Sequence, residues 1–288
     1  MATKAIAKNT GRIRFFIDDI AAGIARDVNG DVAVFRAFGS DFIDIQTGEV
    51  YAGPTYWTPA YDTNLIGWWD PSDSDNITLS VSGTVAQIDD LSSSGNHFVQ
   101  SVIAEQGDYA VGPAQIGGLD TVYFDSGNKH LYVDGSSLAD KGNNFTIGCV
   151  FNGSPAIAQG GTGRWDVVNA FINTTVDGFD FWDSALGGTG IFTVSFDLDG
   201  LAQINGYDDG TLGAQIDPFT TSSNDGTFYL NRLGNDLASA VCVYGEVFIT
   251  NAVDTATRQK YEGYIAHKWG QTGVLPSDHP YKTSPPTV

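Results

Sequence analysis

Basic residues are scarce in this chain. Only 14 Lys and Arg stand against 34 Asp and Glu, a formal net charge of −20 over 288 residues. Nucleic-acid binding releases counterions to a clustered cationic footprint, so a thinly spread minority of cations argues against such a partner. Cysteine occurs twice and methionine once. With no Cys-x-x-Cys pair and no Cys/His cluster, a structural zinc site is not expected. Cys149 and Cys242 each fall in an apolar, strand-like segment. A disulfide between neighbouring strands is open to them, but two buried thiols behaving as small hydrophobes are the preferred reading. Long apolar runs are missing as well, and none approaches the roughly 18 to 20 residues of a membrane span. The basic stretch Met1–Arg12 is followed by Phe15-Phe16-Ile17, which Asp18 and Asp19 cut short. No secretory signal is therefore expected.

What is present points to a folded, turn-rich β protein. Hydrophobic residues make up 42% and charged residues only 17%, which is not the composition of a disordered polyanion. Glycine (35) is as frequent as Phe, Tyr and Trp together (17, 12 and 6), a balance of turn formers and strand formers.

Two segments differ in character. Residues 1–60 read as a small β-rich anchor or arm. Asn29-Gly30 supplies the two positive-φ positions of a type I′ hairpin turn between apolar flanks, and Thr47-Gly48 is a second turn candidate. Gly53-Pro54 and Thr58-Pro59 then read as a linker. Residues 61–288 alternate short apolar runs with Gly/Asn/Asp/Ser turns. Ile77 to Val81 has period-2 alternation, while Phe145 to Phe151 is apolar on both faces and reads as a central strand. Many short strands with almost no helical period predict an antiparallel sandwich. One helix is predicted near the end: Asp254 caps it, Tyr261, Ile265 and Trp269 recur at i, i+4 and i+8, and Gly270 stops it.

Several phrases of the second segment resemble a known family. Leu65-Ile66-Gly67-Trp68-Trp69-Asp70-Pro71-Ser72-Asp73 is similar to the opening strand of laminin-G-like, concanavalin-A-type jelly-roll domains of bacterial and phage proteins. Asp89-Asp90 and Ser94-Gly95-Asn96-His97 resemble the next phrase, with Ile88 where the family usually has Trp. Gly118 to Asp125 resembles a third. The most specific match is Arg258 to Gly270 followed by Leu275-Pro276-Ser277-Asp278-His279-Pro280-Tyr281. The resemblance spans about residues 65–282 and implies an all-β, concanavalin-A-like sandwich with a C-terminal helix. Such domains mostly display and bind, and less often hydrolyse glycans.

Candidate sites follow with their plainer readings beside them. Glycan hydrolysis needs two facing carboxylates roughly 5 to 10 Å apart. The nearest string, Asp177 to Asp183, has no Glu, and Asp180 and Asp183 are an odd number apart, so a strand would point them to opposite faces. Catalysis is not expected. For sugar binding, Trp165, Trp182 and Asp180 are the candidates, because an exposed ring stacks on the sugar's C–H face while Asp bonds its hydroxyls. The plainer reading puts the large aromatics in the core or an assembly interface. Calcium wants several oxygen ligands, and Asp70, Asp73 and Asp75 are the candidate set, with solvated turn aspartates as the alternative. The four histidines are scattered, and a structural role pinning the tail against the sandwich is expected of His267 and His279.

A display-type module without a leader suggests release by assembly and lysis. The sequence reading is therefore a non-enzymatic bacteriophage virion surface protein, a capsid decoration protein or head fibre. Lys4, Lys8, Arg12 and Arg14 would contact the major capsid protein, and a homo-oligomer, by preference a trimer, is expected. The alternative is a carbohydrate-binding tail protein or bacterial surface lectin that takes host-surface glycans.

Overall fold

A computed structural model describes residues 5–6, 15–19, 24–27, 32–34, 37–38, 41–43, 50–52, 55–109, 115–125, 128–133, 144–153, 156–161, 165–168, 171–174, 189–197, 203–216, 224–233, 237–238, 241–251 and 253–288. The chain forms two compact units, residues 1–56 with 287–288, and residues 57–286. In the first, β1 (Ala5–Ile6), β2 (Phe15–Asp19), β3 (Ile24–Asp27) and β4 (Val32–Val34) pair in sequence order, and β5 (Ala37–Phe38), β6 (Asp41–Ile43) and β7 (Val50–Ala52) form a second antiparallel sheet. Ile24 pairs with Val34 and Arg26 with Val32, while the turn expected at Asn29-Gly30 lies outside the described residues.

The second unit begins with β8 (Leu65–Trp69), β9 (Ile77–Leu79), β10 (Val85–Ile88), β11 (Phe98–Val99), β12 (Asp108–Tyr109), β13 (Val122–Phe124) and β14 (Leu131–Val133). It continues through β15 (Asn144–Gly153), β16 (Ala156–Gly161), β17 (Trp165–Val168), β18 (Phe171–Thr174), β19 (Thr189–Asp197), β20 (Gln203–Asp208) and β21 (Thr211–Ile216). The last strands are β22 (Asn224–Leu230), β23 (Arg232–Leu233), β24 (Leu237–Ala238) and β25 (Cys242–Asn251), and helix α1 (Thr255–Lys268) follows. One sheet runs β18-β17-β16-β22-β14-β11-β10-β9. The other runs β12-β13-β25-β15-β19-β20-β21, with β8 also on β25. All these pairings are antiparallel. The unit is an all-β sandwich of two antiparallel sheets with one C-terminal helix.

Strand alternation explains how three layers pack. On β15, Ile147, Cys149 and Phe151 point into the core between the sheets, where they meet Phe98, Leu131, Phe228 and Leu230 of the first sheet. The intervening Val150 points the other way, into a second cluster with Ile265 and Trp269 of α1. The β15–β25 sheet is therefore covered on both faces, which is why these strands carry no polar alternation. Trp68 and Trp69 divide in the same way: Trp69 fills the inter-sheet core, and the Trp68 indole turns toward the helix side. Ile88, in the place of the family's usual Trp, is also buried in that core.

The helix starts where the sequence predicts. Asp254 accepts from the Thr257 amide at 2.8 Å. Gly270 ends it at φ +67°, a conformation that glycine adopts without a Cβ penalty. Both cysteines are buried free thiols. They lie on paired strands, but Cys149 pairs with Val247 and Cys242 with Gly153, four residues further along β15. That offset is roughly 13 Å along the strand, beyond a disulfide's reach.

Gly148 tests the close approach of these layers. A Cβ there would lie 2.3 Å from Phe248 Cζ and 2.8 Å from Thr193 Cγ2. Phe248 is stacked on Tyr261 at 3.9 Å and has no room to retreat. Gly148→Ala is expected to destabilise by about 1 to 3 kcal/mol through overpacking. A urea midpoint unchanged from wild type would show that the helix layer yields instead.

Candidate functional site

The outer face of the first sheet carries a cleft of about 380 Å3, lined chiefly by Gln100, Glu105, His130, Tyr132, Thr227 and Tyr229. Its floor follows from strand alternation. On β14, Leu131 and Val133 are buried and Tyr132 points outward; on β22, Phe228 and Leu230 are buried and Thr227 and Tyr229 point outward. Register sets Tyr132 directly opposite Tyr229. Their ring centroids lie 6.4 Å apart, and the His130 ring is 6.2 Å from Tyr132 and 6.0 Å from Tyr229. Three rings thus form one platform, with both tyrosines half-buried.

The wall is the segment after β11, folded back by a 3-10 turn at Ile103–Glu105. Gln100 is buried and organises this wall. Its side-chain oxygen accepts from the Val102 amide at 3.0 Å, and its Nε2 donates to Glu105 Oε2 at 3.2 Å. The same Nε2 faces His130 Nε2 at 3.2 Å, while His130 Nδ1 lies 3.1 Å from the Asn128 carbonyl. A carbonyl only accepts, so Nδ1 carries the imidazole proton and Nε2 is the acceptor. The backbone locks in the same way: His130 N donates to Glu105 O at 2.8 Å, and Gln106 Nε2 to Gln100 O at 2.6 Å. Glu105 is thereby held as an acceptor beside a preset aromatic floor.

Of the sugar-binding candidates read from sequence, the structure describes the position of Trp165 alone. Trp165 opens β17, two strands beyond β22 in the sheet, and Asp180 and Trp182 lie outside the described residues. Lys4, Lys8, Arg12 and Arg14 lie outside them too. The calcium set is not assembled. Asp70 is buried, accepts from Ser72 N at 3.0 Å and Ser72 Oγ at 2.6 Å, and pairs with the Lys268 ammonium. Asp73 is exposed and caps the turn holding Asp75, accepting from its amide at 3.0 Å. Among the described residues, no group of three or more His, Cys, Asp or Glu is placed to hold a metal.

The residues that resembled the family build hooks rather than a site. Asp90 accepts from Trp68 N at 2.9 Å, Ser92 N at 2.8 Å and Asn96 N at 2.8 Å, and Asn96 Nδ2 returns to Ile66 O at 2.9 Å. The closing phrase fixes the tail. Glu262 is fully buried and accepts from Thr193 Oγ1 at 2.7 Å and from Arg258. Its other oxygen meets His279 Nε2 at 3.1 Å. His267 Nε2 reaches the Tyr281 carbonyl at 2.9 Å. Sequence reasoning missed Tyr132 and Tyr229, although each is an aromatic residue set between two buried apolar neighbours.

No protein-family model matches the chain, and no curated protein sequence matches it. Solved structures similar to it include an arabinofuranosidase complexed with arabinofuranosyl-alpha-1,2-xylobiose (TM-score 0.48, 12% identity, covering 71% of this chain and 59% of that one). Another is domain 4 of AbnA, a GH43 extracellular arabinanase from Geobacillus stearothermophilus, in complex with arabinotriose (0.43, 11%, 67% and 95%). A third is the receptor binding domain of botulinum neurotoxin C/D mosaic serotype (0.45, 14%, 70% and 52%). The chain spans little more than half the length of the first and third of these structures.

Proposed function

We propose that residues 57–286 form a carbohydrate-binding module that engages glycans at the Tyr132–Tyr229 cleft. The observation that carries this reading is the three-ring floor set against a fixed carboxylate. Tyrosine rings offer an apolar face with a polar tip, suited to a ligand that is apolar on its C–H face and polar at its edge. Glu105 and Thr227 stand at that edge to bond hydroxyls. Among the described residues the cleft's lining holds one carboxylate, where glycan hydrolysis uses two. Laminin-G-like membership rests on the phrases between residues 65 and 282.

Tyr229→Ala and Tyr132→Ala are each expected to weaken glycan binding at least tenfold, about 1.4 kcal/mol. Both rings are outward and half-buried, so melting should move little. Calorimetric titration on the full chain measures this, and a glycan bound equally by wild type and both variants would place its site elsewhere.

The setting we propose for this module is a bacteriophage virion surface, with residues 1–60 docking to the major capsid protein. Six of the 14 cations, Lys4, Lys8, Arg12, Arg14, Arg26 and Arg36, fall in the first 36 residues, which supports an anchor facing an acidic shell. Negative-stain microscopy with an antibody to the chain tests this, and unlabelled intact particles would count against it.

A further inference from the structure

The cleft's electrostatics narrow its ligand further, on the premise that it binds sugar. Among the described residues its lining contains one ionisable acid, Glu105, and no Lys or Arg. The cation adjoining it in sequence, Lys129, is spent on Asp108 at 3.1 Å and Asp125 at 2.8 Å. Gln100 Nε2, the buried donor in the wall, already serves Glu105 and His130. His130 carries its imidazole proton on Nδ1 toward a backbone carbonyl, so that donor faces away from the ligand too. The remaining donors of the described lining are the neutral hydroxyls of Ser101, Thr227, Tyr132 and Tyr229, which also accept, so none of them offsets the charge of Glu105 inside a chain with a net charge of −20. A carboxylate or sulfate ester on the ligand needs cations or N–H donors and would find a like charge instead. Sugar hydroxyls donate, and an ionised carboxylate is an acceptor only.

The outward row also runs beyond the tyrosines. Register places Val99 opposite Tyr132 and Gln87 opposite Val99, so the row crosses neighbouring strands at about 4.8 Å per step. An extended ligand laid across the strands would meet one outward side chain per strand.

We infer that the cleft selects uncharged oligosaccharides and rejects their acidic counterparts. The test titrates the full chain with uncharged hexose and pentose oligosaccharides and with sialylated, uronate and sulfated versions of the same backbones, at low and at physiological salt. The uncharged ligands should bind at least tenfold tighter, with affinity nearly independent of salt. In Glu105→Gln the gap should narrow to about threefold or less, because a neutral amide keeps the acceptor oxygen while removing the repulsion. A Glu105 that only supported the loop would weaken both classes alike. Acidic glycans bound as tightly as neutral ones, with affinity lost in Tyr229→Ala, would overturn the selectivity and leave the binding site standing. A gap unchanged in Glu105→Gln would also overturn it. Absence of binding to any glycan would overturn the proposed function, and this inference with it.

Discussion

Glu246→Ala is expected to destabilise the sandwich unit by about 3 to 5 kcal/mol, the cost of taking one of two carboxylates from the Lys268 ammonium and the acceptor from two indole donors. Glu246 lies on β25 with no solvent exposure. One oxygen accepts from the Trp68 indole N–H; the other accepts from Lys268 Nζ at 2.8 Å and from Trp269 Nε1 at 3.1 Å. Lys268 also pairs with Asp70, so the last turn of α1 is tied to β25 through Glu246 and to the end of β8 through Asp70. Alanine would orphan two indole donors and leave an ammonium facing a cavity. Lys268→Met should cost a similar amount for the mirror reason. Replacing both residues by Met, which fills the space without charge, should cost less than the two single changes added together. Residues sharing one network couple by about 0.5 to 3 kcal/mol. Urea unfolding with a constant m-value measures all three. A single-variant loss under about 1 kcal/mol, or strict additivity, would mean that the apolar contacts of Trp269 and Ile265 hold the helix alone.

This network marks where sequence reading stops. The elements themselves were legible because their signals are local. Asp254 four residues before Arg258, apolar residues at helical spacing through Trp269, and a strand apolar on both faces at Ile147–Phe151 each fix one element without long-range information. The site depends on pairings that no local pattern encodes. Asp70 looked like a calcium ligand because it sits in an Asp-rich loop, yet its partner is Lys268, 198 residues away. Tyr132 and Tyr229 meet only through the β14–β22 register. Trp165 and Trp182 drew attention as sugar platforms, whereas the rings that the described strands set side by side on the outer face are Tyr132 and Tyr229. The family phrases pointed to fold and not to site for a physical reason. Asp90, Asn96, Glu262 and His279 satisfy buried backbone and side-chain groups, a demand set by the sandwich itself.

Raising the pH should unfold the sandwich unit abruptly, with a midpoint at about pH 10.5 to 11.5. Five buried or half-buried groups hold their protons more tightly when folded. Burial pushes the Cys149 and Cys242 thiols above their ordinary value of 9.0. Burial likewise raises Tyr261 and Tyr264 above 10.0, aided by the Asp62 carboxylate, which accepts from Tyr261 Oη at 2.7 Å, and by Glu246 beside Tyr264. Burial works to lower Lys268, but attraction to Glu246 and Asp70 outweighs it and the net direction is above 10.5. In each case the folded value exceeds the unfolded one, so the stabilising contribution is complete below the unfolded value and is lost as pH rises toward the folded one. Above about pH 10.5 the unfolded chain has given up most of these five protons while the folded chain holds them, and the difference grows toward five as pH rises further. Each is worth up to about 1.4 kcal/mol per pH unit, so together they approach about 7 kcal/mol per unit. Against a total of about 5 to 15 kcal/mol, that exhausts stability within one or two pH units. Mild acid should have the opposite effect. Burial raises the Glu246 and Asp209 carboxyls, so their contribution returns as pH falls toward their unfolded values, and relief of the −20 charge adds to it. The unit should therefore melt at a higher temperature at pH 5.5 to 6 than at about pH 9. Near-UV circular dichroism followed against tyrosine ionisation gives the base limb. Tyr261 and Tyr264 should ionise only as the aromatic signal collapses. Their gradual ionisation with the signal intact at about pH 12 would show that water reaches the helix layer without unfolding it.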